Sequence, residues 1–123
     1  MRVREIITED IQGDEETIEL HGGHIRVKSP APYSPRDASV VEFWVDENQR
    51  NQGIGAKLIQ VAASKYPDLG AQVSSISSLK AFYNNNFRNP KIPDGTFEDH
   101  VAAFKENWGS LFVASTDKEG NKY

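Results

Sequence analysis

The 123-residue chain contains no cysteine and a single methionine. Zero cysteine excludes a disulfide framework, a thiol nucleophile and cysteine-ligated zinc. Positive charge is not in excess either: 14 Lys and Arg face 18 Asp and Glu, for a formal net charge of −4. The basic face that general nucleic-acid binding needs is therefore missing. No apolar run approaches the roughly 20 residues that cross a bilayer. Met1-Arg2-Val3-Arg4 leads into Glu5 rather than into the apolar stretch of a leader peptide. These absences lead us to expect a cytoplasmic protein with neither a membrane nor a nucleic-acid partner. The rest is ordinary: 37% hydrophobic and 26% charged residues suit one soluble globular domain. We assign it to residues 1–115, with residues 116–123 as a flexible polar tail.

Along the chain, residues 3–8 read as a first strand, and the acidic stretch 9–16, which contains Gly13, as a turn or a very short helix. Residues 17–20 and 25–28 flank His21-Gly22-Gly23-His24, and Gly-Gly between two β-prone runs is a hairpin signal. Three prolines make residues 29–37 a loop. Residues 39–45, β-branched and aromatic apart from Glu42, suit a central strand covered on both faces. From Gly53 the period changes to that of a helix, with Ile54, Leu58, Val61 and Ala62 on one face, ending near Tyr66-Pro67. A strand over residues 71–76 follows, and Ser77 or Ser78 caps a second helix. Asn84-Asn85-Asn86 closes that helix, because Asn tolerates the left-handed turn. Thr96 and Asp99 form a reciprocal cap for a third helix to about Asn107, and residues 111–114 form a last strand. The β-α-β-α order in the middle implies parallel pairing there.

The most informative stretch is Arg50-Asn51-Gln52-Gly53-Ile54-Gly55, between a strand and a helix. Backbone N–H groups from about Asn51 to Lys57 point the same way at such a turn, and Gly53 and Gly55 let an anion approach the backbone. Arg50 adds a permanent cation. Leu58 stands where a dinucleotide fingerprint has its third glycine, and no Gly-Lys-Ser/Thr follows to make a P-loop. On its own the turn is open to two readings, a phosphate site and a plain helix entry.

The pattern Val45-x-x-x-x-Arg50-x-x-Gly53-Ile54-Gly55-x-x-Leu58-Ile59 resembles the acetyl-CoA signature of the GNAT family of N-acetyltransferases. Ala81-Phe82-Tyr83-Asn84-Asn85-Asn86-Phe87 resembles that family's second signature, a helix carrying Phe-Tyr and closing with Gly-Phe, with Asn86 in the glycine's place. The resemblance covers residues 39–87. It implies an α/β (α+β) single domain: a mixed β-sheet flanked by helices and lacking most of the usual N-terminal helical pair. Acetyl-CoA is the implied cofactor, bound at Trp44, Val45, Arg50, Asn51, Gln52, Gly53, Ile54, Gly55 and Ala56, with its pyrophosphate in the glycine turn. The chain departs from the family in its short stretch 9–16 and in the third helix placed before residues 111–114.

The implied reaction is acetyl transfer to a primary amine, of a protein, peptide or small molecule, by direct attack in a ternary complex. It needs an anchored thioester, a donor for the oxyanion, a proton for the departing sulfur and a base for the amine. The resemblance puts the oxyanion donor at a backbone N–H near Trp44 or Val45 and the acid at Tyr83. Without the resemblance, Tyr83 reads as a core aromatic, and Phe82 as packing. Glu42 is the carboxylate inside the central strand and the first candidate for base or amine anchor, with a surface ion pair as its other reading. Positions that carry a carboxylate in some relatives hold Ser39 and Gln72 here. His21 and His24 read as a solvated turn or a proton relay; no third ligand accompanies them, so no metal site is assigned. Asp14-Glu15-Glu16 reads as a solvated run or an attractor of a basic acceptor, and Trp44 and Trp108 as core or interface aromatics. With little structure to enclose an acceptor, the chain is expected to have an open acceptor side or one completed by a second copy in a homodimer. The rival reading is a catalytically idle protein of this fold that binds acetyl-CoA or serves as an interaction module.

Overall fold

A computed structural model describes residues 14–29, 38–49, 52–117 and 119–123. The expected strand at residues 3–8 and most of the proline loop lie outside the described residues, as do Arg50 and Asn51. Strands β1 (Asp14–Leu20), β2 (Gly23–Ser29), β3 (Ala38–Val45), β4 (Leu69–Val73) and β5 (Leu111–Ala114) form one sheet in sequence order. All neighbours are antiparallel except β3 and β4. Helix α1 (Ile54–Lys65) makes the crossover between that parallel pair, α2 (Ile76–Asn84) follows β4, and α3 (Phe97–Glu106) precedes β5. A single 3-10 turn, Glu47–Gln49, links β3 to the glycine segment. The mixed sheet flanked by helices is the one expected from the sequence, with five strands and three α-helices among the described residues.

β1 and β2 are joined by the two-residue turn His21-Gly22, with Gly22 at φ 96°. β1 begins at Asp14, not Thr17, because Asp14, Glu15 and Glu16 continue the register against Ser29, Lys28 and Val27. Alternation then sends Glu15 and Glu16 to opposite faces. Glu16 receives hydrogen bonds from Lys65 and, at 2.6 Å, from the Tyr66 hydroxyl, tying β1 to the end of α1. Ile25 and Val27 on the same face are fully buried against Leu58, Ile59 and Ala62 of α1. Full burial of each large apolar side chain contributes about 1.5–3 kcal/mol.

β4 ends at Val73 rather than continuing to Ile76, because Ser75 caps α2 instead of Ser77 or Ser78: its Oγ accepts the Ser78 N–H at 3.1 Å. At the other end of α2 the Phe87 N–H reaches the Phe82 carbonyl and the Asn86 N–H the Tyr83 carbonyl, both at 3.0 Å. Asn86 sits at φ 68°, the left-handed position that glycine usually fills. Phe87 folds back edge-on to Phe82, ring centroids 5.0 Å apart. α3 has the expected capping box, with reciprocal Thr96 and Asp99 bonds of 3.0 and 3.1 Å.

Two expectations are corrected. The chain after β5 is not a loose tail: Thr116 is 2% exposed, its hydroxyl donates to Asp68 at 2.8 Å, and it bridges to Lys122 across a turn organised by Asp117. β3 is not covered on both faces: Val41 and Trp44 are 40% and 48% exposed, and Glu42 is exposed too. Glu42 and Trp44 lie on the face away from α1, and a bulge brings Val41 out beside them. Arg26 pairs with Glu42 but its neighbour Val27 pairs with Val40, so Val41 is an extra residue that breaks the alternation.

The Glu16 contact gives a pH test. Hydrogen bonds from Lys65 and then Tyr66, outweighing partial desolvation, hold the Glu16 carboxyl below its ordinary range. Its contribution is therefore present above the unfolded-state pKa and is lost as pH falls through the lower, folded one. Glu16→Gln should destabilise the chain at neutral pH and lose its difference from the unaltered protein in acid. Denaturant unfolding at several pH values checks this; a difference constant down to the most acidic pH contradicts it.

Candidate functional site

β3 and β4 stay together for only three pairs, Ala38 with Leu69, Ser39 with Gly70 and Val40 with Ala71. Beyond these pairs no described strand lies between them. β4 keeps its pairing with β5, Gln72 against Phe112 and Val73 against Leu111, and β3 keeps its pairing with β2 to Val45. The two strands thus part while each remains braced on its outer side. The gap is a cleft of about 160 Å³, walled by residues 40–43 of β3 and residues 71–74 at the end of β4, with Ser78 and Phe82 of α2 lining it. Phe43 and Phe82 meet edge to face at 5.3 Å and keep the parted strands wedged. The edge of β3 facing the gap offers backbone N–H and C=O groups that no described strand uses, a place for an extended ligand with amides of its own.

The glycine turn lies at the end of β3. Gly53 is the N-cap of α1 at φ 79°, with no side-chain cap, and the first helical bond runs from the Lys57 N–H to the Gly53 carbonyl at 3.0 Å. The N–H groups of Ile54, Gly55 and Ala56 therefore precede the helical ladder and have no intrahelical acceptor. The two glycines have different reasons to be there. A Cβ on Gly53 would meet nothing within 4 Å, so its backbone conformation and open approach matter. A Cβ on Gly55 would come within 3.2 Å of the Phe43 ring and 3.5 Å of Val45, so Gly55 lets α1 sit against β3. Gln52 is exposed beside them.

Glu42 reaches the cleft from the face opposite α1. Arg26 holds one of its oxygens at 3.0 Å, and His24 lies 3.3 Å from the other. His24 also stacks on Trp44, ring centroids 5.7 Å apart. His24, Glu42 and Trp44 are thus brought together, while His21 stays on the hairpin turn. Tyr83 is directed elsewhere. Its hydroxyl donates to the Gly95 carbonyl at 2.9 Å, its ring packs edge-on to Phe97 and His100, and the Arg88 guanidinium lies 3.7 Å over its face. His100, fully buried, completes that cluster by accepting the Asn89 N–H at 3.1 Å. On α2 it is Phe82, not Tyr83, that lines the cleft. Ser78 is the other α2 residue there, and its signal in the sequence was the four-residue spacing to Phe82 that puts both on one helical face. Gln72 lines the opposite wall with its amide nitrogen bound to the Ser110 hydroxyl at 2.7 Å. Trp108 is neither core nor in the cleft: it is 96% exposed on the turn after α3, at φ 61°.

A larger hollow of about 310 Å³ lies at the other end of the sheet, where Pro67 precedes β4 and Ser115 follows β5. Its polar lining is amide and hydroxyl groups with Lys122, and no carboxylate or imidazole enters it. It lacks the parted strands and the free helix N-terminus, so we place the site in the cleft. No cluster of three or more potential metal ligands occurs among the described residues. No described helix is long and apolar enough to cross a membrane.

The parallel pairing of β3 with β4 through a helix entered at a glycine turn is the arrangement expected from the sequence. The sequence model of the acetyltransferase (GNAT) family matches residues 14–91. The chain belongs to this family. In fold it is similar to a GNAT family acetyltransferase from Elizabethkingia anophelis, solved with acetyl-CoA bound: 18% identity, 91% of this chain and 82% of that one covered, TM-score 0.51. The anti-CRISPR protein AcrVA5 aligns over 60% of this chain and 83% of its own at 20% identity, with a TM-score of 0.47. No curated protein matches the chain in sequence.

The two glycines of this GNAT turn are separable by substitution. Gly55→Ala should cost about 1 kcal/mol and shift the ring resonances of Phe43 and Phe82, because Phe43 must give way. Gly53→Ala should cost a similar amount, about 1 kcal/mol, through its left-handed backbone while leaving both rings in place. Nuclear magnetic resonance with denaturant unfolding checks both, and unmoved rings in Gly55→Ala contradict the close packing.

Proposed function

We propose that the chain is an acetyl-CoA-dependent N-acetyltransferase that passes the acetyl group to a primary amine by direct attack within a ternary complex. The observation that carries this reading is the continuity of the parted β3 edge with the free amides at the start of α1. One accepts an extended chain of amides and the other a pyrophosphate. Acetyl-CoA, the cofactor of this family, supplies the activated acyl group when bound. The N–H groups of Ile54, Gly55 and Ala56 would hold its pyrophosphate, with Gln52 at the rim and Arg50 and Asn51 as further partners. Trp44 and Val45, at the end of β3, lie on the path from that turn to the cleft.

The residues divide the remaining work. β3 backbone N–H groups beside the cleft orient and polarise the carbonyl under attack. Glu42 takes the surplus proton that the neutral amine carries once it has attacked. Arg26 holds that carboxylate in place, and His24, beside its other oxygen, passes the proton outward. No cysteine exists to carry the acyl group, and no cleft serine sits beside a base, so a covalent acyl-enzyme is not part of the mechanism. Among the described residues, the bulged, exposed stretch at Val41 and Glu42 leaves the acceptor side open. This favours an amine presented from outside, on a peptide or protein, or a site shared with a second copy of the chain.

One observation favours the idle-binder reading. The hydroxyl of Tyr83 is committed to Gly95, so the family's tyrosine acid would have to break a hydrogen bond inside a packed cluster. We therefore treat Tyr83 as scaffold. Tyr83→Phe should lose about 1 kcal/mol of stability and keep thioester turnover within about threefold. A loss of about 100-fold at unchanged acetyl-CoA affinity would return the acid role to Tyr83. Absence of any turnover with an amine panel, while acetyl-CoA binds, would establish the idle binder.

Calorimetry with acetyl-CoA tests the common ground of both. Gly53→Val should weaken binding by more than about tenfold, equivalent to about 1.4 kcal/mol. Unchanged affinity would place the pyrophosphate elsewhere.

A further inference from the structure

We infer that Ser78 is the hydrogen-bond donor to the sulfur of the acetyl donor, in place of the tyrosine that this cleft lacks. The inference rests on the acetyltransferase reading above. Its starting point is the census of donors that line the cleft. Phe82 fills the α2 position beside β3 and has no hydroxyl. Glu42 is a carboxylate already held by Arg26 and His24, and the Gln72 amide is directed to Ser110. Ser74 stands at the exposed lip. Ser78 is half-buried, one helical turn before Phe82 and on the same face.

The hydrogen bonds around Ser78 decide where its proton goes. Ser75 Oγ accepts the Ser78 N–H at 3.1 Å and donates its own hydrogen to Ser78 Oγ at 2.9 Å. Ser77 Oγ lies at the limit of contact with Ser75, 3.5 Å away. Ser78 Oγ is thus an acceptor toward Ser75, and its own hydrogen has no acceptor among the described residues. A hydroxyl with one donor spare, polarised by a second hydroxyl behind it, is suited to an electron-rich sulfur in the cleft.

The chemistry balances without any other reagent. The acceptor nitrogen forms the new carbon–nitrogen bond, the carbon–sulfur bond breaks, and its electron pair stays on sulfur. The nitrogen's surplus proton leaves to Glu42. Ser78 keeps its proton, since a hydroxyl is too weak an acid to surrender it, and solvates the sulfur anion by hydrogen bonding. That lowers the basicity of the departing thiolate.

The test reads the thiol itself and not only turnover. With the full chain and saturating CoA, the bound thiol is titrated by its ultraviolet thiolate absorbance, and affinities for CoA and desulfo-CoA are measured by calorimetry. Ser78→Ala should raise the thiol's titration midpoint by about one unit, a tenfold change in its acidity, and leave desulfo-CoA affinity unchanged. Ser78→Thr, which keeps the hydroxyl, should restore the midpoint. An unmoved midpoint in Ser78→Ala, or the shift appearing in Ser74→Ala instead, overturns the role of Ser78 alone. Failure of the unaltered chain to bind either CoA or desulfo-CoA overturns the acetyltransferase reading, and the proposal with it.

Discussion

The separation of β3 from β4 after Val40 and Ala71 is the constraint on which the rest depends. Backbone hydrogen bonds normally hold adjacent parallel strands together along their length, and leaving them open costs free energy unless something else occupies the gap. Here each strand is braced on its outer side, β3 by β2 and β4 by β5, and the Phe43–Phe82 contact fills the root of the opening. Gly55 allows α1 to approach Phe43, and Asn86 lets Phe87 fold back onto Phe82. The wedge is therefore assembled from a helix start, a helix end and a strand bulge that are far apart in sequence. The gap it maintains is the feature through which a ligand's own amides can replace the missing strand.

The second organising feature is the division of labour among polar groups. Arg26, Glu42 and His24 form a cross-strand cluster on the face opposite α1, where Trp44 stacks on the imidazole. Exposed pairs of this kind contribute little to stability, typically under about 1 kcal/mol. Their consequence is positional: Glu42 is held at the cleft's entrance. Tyr83, Arg88, Phe97 and His100 form a separate cluster that fastens α2 to α3. The polar groups of the cleft thus come from the sheet and from the start of α2, and the aromatic cluster lies behind α2, outside the cleft.

Local signals in the sequence were strong where the structure is local. The Gly22 hairpin, the α1 period from Ile54, the Thr96–Asp99 cap and the left-handed Asn86 are each written in a few adjacent residues, and each is present. The family's two signatures carried the cofactor turn for the same reason. What the sequence hid was non-local. The Val41 bulge exists only as a mismatch of register with β2, and it decides which side chains of β3 are exposed. The ends of β1 and of the chain are ordered by distant partners, Lys65 for Glu16 and Asp68 for Thr116. The roles of Phe82 and Tyr83 turn on helical phase: with Ser75 as the cap, α2 directs Phe82 into the cleft and Tyr83 toward Gly95.

The central claim, that the donor lies along the open edge of β3 with its phosphates on the first amides of α1, is tested most directly by amide hydrogen exchange with and without acetyl-CoA. The account predicts slowed exchange within residues 41–45 of β3 and at Ile54, Gly55 and Ala56. Binding with no change at these amides, or with protection confined to the hollow around Gln60 and Asn85, would contradict it.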